Sequence, residues 1–156
     1  MLTEPRDTET HDHAGTRPDA LITVLDVTLQ TVRLFLHVLA ATVWVGGQLS
    51  LAGLVPGLRR ISPSAPRAVG RRFAQIAWPA YGVLIATGIW NVLAVHATWR
   101  GAYGVTLIVK IAVVAVSGIS AWAHGRSRSR SGLAIWGAMA ALSAVVALFL
   151  GILLHG

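Results

Sequence analysis

The chain has 156 residues, 54% hydrophobic and only 12% charged, a balance far more apolar than that of an average soluble domain. Its 13 Lys and Arg against 6 Asp and Glu give a net charge of +7, and the signs are segregated: Glu4, Asp7, Glu9, Asp12, Asp19 and Asp26 all precede residue 27. Beyond that point paired-carboxylate hydrolysis, an Asp-supported Ser/His triad and carboxylate cages for Mg²⁺ or Ca²⁺ lack their parts, and the absence of cysteine excludes disulfides, thiolate catalysis and Cys-based zinc or Fe–S sites.

Residues 1–19 form a polar, acidic tail with no basic segment leading into an apolar core, so they do not read as a signal peptide. Pro18 and Asp19 suit a helix start, and Leu21, Leu25 and Leu29 recur at i+4 spacing, which predicts a short amphipathic helix over 20–31. It either lies on the outer membrane surface or continues into the first span. The remainder, 20–156, is one membrane domain with spans over 32–58, 73–95, 105–123 and 133–154. Each holds about 19 to 27 residues, enough to cross a ~30 Å hydrocarbon layer as a helix. Because lipid offers the backbone no hydrogen bonds, the expected fold is all-α, an integral membrane four-helix bundle. The segment with Gly57, Pro63, Ser64, Pro66 and Gly70 reads as a break between the first two spans. Pro79 is expected to kink the second span near Gln75.

Orientation follows from the arginines. The first connection carries Arg59, Arg60, Arg67, Arg71 and Arg72, the third Arg126, Arg128 and Arg130, and the second Arg100 alone. The basic loops are therefore expected in the cytoplasm and both termini on the outer, periplasmic or extracellular side, in a bacterial inner (plasma) membrane. The run "RSRSRS" at 126–131 reads as such a loop, and no nucleic-acid partner is expected. The bilayer is the first partner; a membrane redox partner or quinone and a homo-oligomer are the others considered.

Two spans carry polar stripes. Arg33, His37, Ala41, Trp44 and Gln48 share one face of the first, and Thr106, Lys110, Ser117 and His124 one face of the third. Such faces should point into the bundle. Lys110, the chain's single lysine, lies about two turns inside the outer boundary, where a cation costs roughly 2.5 to 3.5 kcal/mol. It either snorkels outward or meets a ligand's acid group, a backbone carbonyl or water. His37, His96 and His155 each fall roughly 30 Å from the cytoplasmic boundary, so three helices present a histidine near the outer rim. His96 also suits an ordinary interfacial residue, and His155 a solvated terminus. His124 sits at the opposite end, about 21 Å from Lys110 along the helix, and either caps that helix or serves a second site. Facing histidines at matched height hold haem in four-helix bundles, and imidazole also suits copper or zinc. The tryptophans read as interfacial anchors or packing, or, as an indole such as Trp44, as a wall for a bound macrocycle. Gly46, Gly47, Gly53, Gly57, Gly82, Gly88, Gly118 and Gly151 are expected to allow close helix approach, with Gly53/Gly57 and Ala147/Gly151 at small-xxx-small spacing.

The segments "RLFLHVLAATVWVGGQLS", "RRFAQIAWPAYGVLIATGIWNV" and "LIVKIAVVAVSGISAWAH" resemble the membrane domain of the copper-resistance protein D (CopD) family over about residues 30–125. They are also similar to the related HemJ-type protoporphyrinogen oxidases, which carry a histidine early in the first span and a lysine in a later one; His37 and Lys110 match those positions. The chain departs from the HemJ pattern in lacking acidic residues near its end. The resemblance implies haem b in one case and copper movement across the inner membrane in the other. With no Cys and only Met1 and Met139, soft ligands for copper(I) are scarce. Haem b finds imidazoles in His37 with His155 or His96, and cations for its propionates in Lys110, Arg33 and Arg100. The expected function is haem b binding near the outer face with a redox or electron-transfer role, whether or not as an oxidoreductase. The alternatives are a CopD-like copper carrier without haem, using His37 with His11 and His13 of the acidic tail, and a cofactor-free accessory subunit.

Overall fold

The structure, a computed structural model, describes residues 28–94 and 100–154. They form four helices, each long and apolar enough to cross a membrane: α1 Leu29–Ile61, α2 Ala65–Ala94, α3 Gly101–Arg126 and α4 Arg130–Leu153. No strand occurs among the described residues. Outward faces carry large apolar side chains, among them Phe35, Leu93, Ile108, Leu142 and Phe149, each more than half exposed. A surface of that kind requires lipid rather than water around it.

The helix ends follow local chemistry. Thr28 caps α1 by accepting from the Thr31 amide at 3.2 Å, and Ser129 caps α4 by accepting from the Gly132 amide at 3.0 Å. The expected break from Gly57 to Gly70 is shorter than the composition suggested, because α1 runs on to Ile61 and α2 already starts at Ala65. Pro66 falls in the first turn of α2, where its missing N–H has no helical partner to lose. α2 also continues through Pro79. Of the predicted amphipathic segment, Thr28 caps α1, Leu29 to Thr31 form its first turn, and 20–27 lie outside the described residues.

Cross-helix contacts fix the topology. His37 meets Thr87, Trp44 meets Tyr81, and Gly47 faces Phe73, so α1 and α2 run antiparallel. Ser117 bonds the Ala140 carbonyl and His124 that of Leu133, so α3 and α4 do the same. Both short connections, 62–64 and 127–129, lie at one end with the flanking arginines. That end is termed the basic end, and the other the His37 end.

The core is built from small residues around one aromatic cluster. Ala40, Ala77, Ala140, Ala144, Ser117 and Ser120 are each 5% exposed or less, which lets backbones approach closely where no hydrophobic effect drives association. α1 widens to a π-helical turn at Thr42–Gly46 that carries buried Trp44. The Trp44 ring packs on Tyr81 at 4.4 Å and edge-on to Trp78 at 5.7 Å between centroids. Its Nε1–H donates to Ser117 Oγ at 3.1 Å, and that hydroxyl donates to the Ala140 carbonyl at 3.1 Å. The Tyr81 hydroxyl donates to the Val114 carbonyl at 2.9 Å. These bonds join all four helices at mid-height.

Glycine spacing proved a poor guide to contact. Gly46, Gly53, Gly57 and Gly82 have open space where a Cβ would project, so the Gly53/Gly57 pair makes no close helix approach. Gly47 lies under the Phe73 ring and Gly118 under the Tyr81 hydroxyl, where no side chain fits.

Candidate functional site

The polar stripe of α1 points inward as its spacing requires. Arg33 is 7% exposed, His37 is half-buried, and Trp44 is buried. One residue of α2 completes the site. Thr87, 5% exposed, donates its hydroxyl hydrogen to the Val83 carbonyl at 2.7 Å, with the Leu84 carbonyl at 3.2 Å. With its one hydrogen so directed, Thr87 Oγ1 accepts from His37 Nδ1–H at 2.8 Å. In the neutral imidazole this fixes the lone pair on Nε2 and holds the ring in one plane, the arrangement that ligating histidines use. Gly88 lies beside that ring, a Cβ there meeting His37 Cε1 at 3.6 Å.

The same register carries one turn further from the basic end. Arg33, four residues before His37, comes opposite Asn91, four residues after Thr87. Arg33 Nε and Asn91 Oδ1 are both enclosed, and neither has a hydrogen-bond partner. No carboxylate side chain exists among the described residues to neutralise Arg33. Gln48 Nε2, nearer the basic end on the same α1 stripe, is likewise enclosed and unbonded.

Lys110 lies at the height of His37. Each precedes its member of the Trp44–Ser117 pair by seven residues on helices that run parallel, about 10 Å along the axis. Lys110 is half-buried in the α3–α4 seam, with its amine reaching toward the His37 end of α4. Its Nζ would lie 3.1 Å from a Cβ on Gly151. The two cations predicted to share a site thus lie toward the same end but in different seams, Lys110 in α3–α4 at the height of His37 and Arg33 in α1–α2 about one turn beyond it.

Other predicted positions separate from the site. Trp44 is engaged in the four-helix node, with its ring against Tyr81 and its N–H on Ser117, which makes it a packing residue rather than a wall for a macrocycle. Arg100 is exposed at the start of α3. His124 closes the basic end of the α3–α4 hairpin, its Nδ1–H donating to the Leu133 carbonyl at 2.8 Å, with the ring against Gly137. Fourteen residues of continuous helix separate it from Lys110, about 21 Å, so it shares no metal with His37. His11, His13, His96 and His155 lie outside the described residues. Among the described residues no three His, Cys, Asp or Glu side chains come together as a metal cluster.

Sequence reasoning missed Thr87. The signal was present: Thr87 and Asn91 stand four residues apart on an apolar span, as Arg33 and His37 do on α1. What it lacked was the interhelical register that sets the two pairs against each other. Comparison of the chain with protein-family models, with curated proteins and with solved structures finds no match in any of the three.

Proposed function

We propose that this four-span protein binds haem b at its His37 end and has a redox or electron-transfer role there. The observation that carries the reading is the Thr87-fixed tautomer of His37, which presents Nε2 as a ligand from within an apolar seam. Arg33 and Lys110, two cations at the same end with no carboxylate side chain among the described residues, suit the propionates of that group. His155 or His96 supplies the second imidazole. Bound haem b provides one-electron chemistry at its iron. Thr87 holds the His37 ring, the small residues of the bundle bring the helices close, and the apolar faces keep bulk water away. Following the arginine distribution, the basic end faces the cytoplasm of a bacterial cell and both termini face outward.

Haemin titration of the purified chain in detergent tests the reading. Saturable binding with a Soret band is expected, and Thr87→Val, which removes the oxygen that accepts from Nδ1, should weaken it about 10- to 100-fold while the helical content stays unchanged. A colourless protein holding stoichiometric copper would replace haem with the CopD-like copper reading. A chain that takes up neither would favour an accessory subunit.

A further inference from the structure

We infer that Arg33 and Asn91 form a two-armed clamp for a carboxylate group across the α1–α2 seam. Arg33 is more than nine-tenths buried, and its Nε–H has no acceptor. A guanidinium so enclosed is costly without an anion, and the described residues hold no carboxylate side chain to supply one. At the position that the His37–Thr87 register sets against Arg33, the enclosed oxygen of Asn91 is also unbonded. A half-turn of that amide puts Nδ2–H where the oxygen now stands, because the two ends of an amide occupy nearly the same volume. Two donors then converge from opposite helices, one of them charged, which is how a carboxylate with two acceptor oxygens is held. The clamp lies one helical turn beyond the His37–Thr87 pair, so the rest of the ligand extends into the seam that His37 lines.

The chemistry recognised is the carboxylate, and its carrier is either a porphyrin propionate or the head of a fatty acid from the bilayer. The first source rests on the haem reading above; the second does not. Binding of haemin, haemin dimethyl ester and radiolabelled oleate to the full chain, and to Arg33→Gln and Asn91→Leu, separates them. The expected result is that the unaltered chain binds the diester about tenfold more weakly than haemin, since esterification removes the charge-assisted bonds. Arg33→Gln should abolish that preference and Asn91→Leu reduce it, with the Soret band retained in both. The comparison of acid and ester on the unaltered chain requires no variant to fold. Equal affinity for acid and ester overturns the clamp and leaves the haem reading standing if the Soret band still depends on His37. A preference that survives both substitutions also overturns it, by placing the carboxylate elsewhere. If neither porphyrin binds but oleate binds saturably and only with Arg33 present, the clamp holds with a fatty acid and the haem reading fails. Binding of none of the three overturns both.

Discussion

His37→Ala is expected to abolish the Soret band of the haem-loaded protein, whereas His124→Ala leaves it in place. Both histidines donate Nδ1–H to an oxygen at 2.8 Å, so both present an unprotonated Nε2 when neutral, and chemistry alone does not tell them apart. Position does. His37 stands in the α1–α2 seam one turn from buried Arg33, which has no carboxylate side chain to pair with among the described residues, and His124 ties the last turn of α3 to the first turns of α4 at the basic end. Loss of His124 removes one interhelical bond, which in membranes averages about 0.6 kcal/mol, so its variant should melt slightly lower in detergent. Visible spectra of the two variants at equal helical content decide the matter. A band lost with His124 and kept without His37 would move the site to the other end of the molecule.

Gly118→Ala is expected to destabilise the bundle by about 1–3 kcal/mol, the usual cost of forcing extra volume into a packed core. The added methyl would overlap the Tyr81 hydroxyl and approach Cζ at 2.7 Å, and Tyr81 has no easy retreat. Its ring is packed between Trp44 and Trp78, and its hydroxyl holds the Val114 carbonyl. The wedge would therefore part α2 from α3 and break that bond. Gly53→Ala is the control: its Cβ meets nothing within 4 Å, and alanine's better helix propensity should leave stability unchanged or slightly raised. Thermal unfolding in one detergent, followed by circular dichroism, compares the two. Adding Tyr81→Phe to Gly118→Ala should recover part of the loss, because the hydroxyl is the nearest obstacle. A Gly118→Ala protein as stable as its parent would mean that the helices do not approach there.

The span count was legible because each span is an apolar run of membrane-crossing length, and the polar stripes of α1 and α3 because a period of 3.6 survives in a single sequence. Proline and glycine misled at the first connection. Pro66 and Gly70 punctuate a chain in water, but Pro66 is harmless in a first turn, and Gly70 sits inside α2. The glycines illustrate the same limit. Nothing local separates Gly53, which faces open space, from Gly118, which lies under Tyr81, because the difference belongs to the neighbouring helix.

For the site, His37, Arg33 and Lys110 were legible as polar groups out of place in apolar spans. Thr87 was not, since a threonine in a span usually bonds its own preceding turn, and this one does so as well. Its second role appears only when α2 is set against α1 in register. That register also turns Asn91 from an isolated polar residue into the partner position of Arg33.

The central claim, haem b held by His37 for electron transfer, is tested most directly by a reduced-minus-oxidised visible difference spectrum. The protein is purified from cells supplied with haem. The account predicts a sharpened α band and a shifted Soret band on reduction, reversed by oxidation and absent in His37→Ala. A flat difference spectrum from well-folded protein would contradict it.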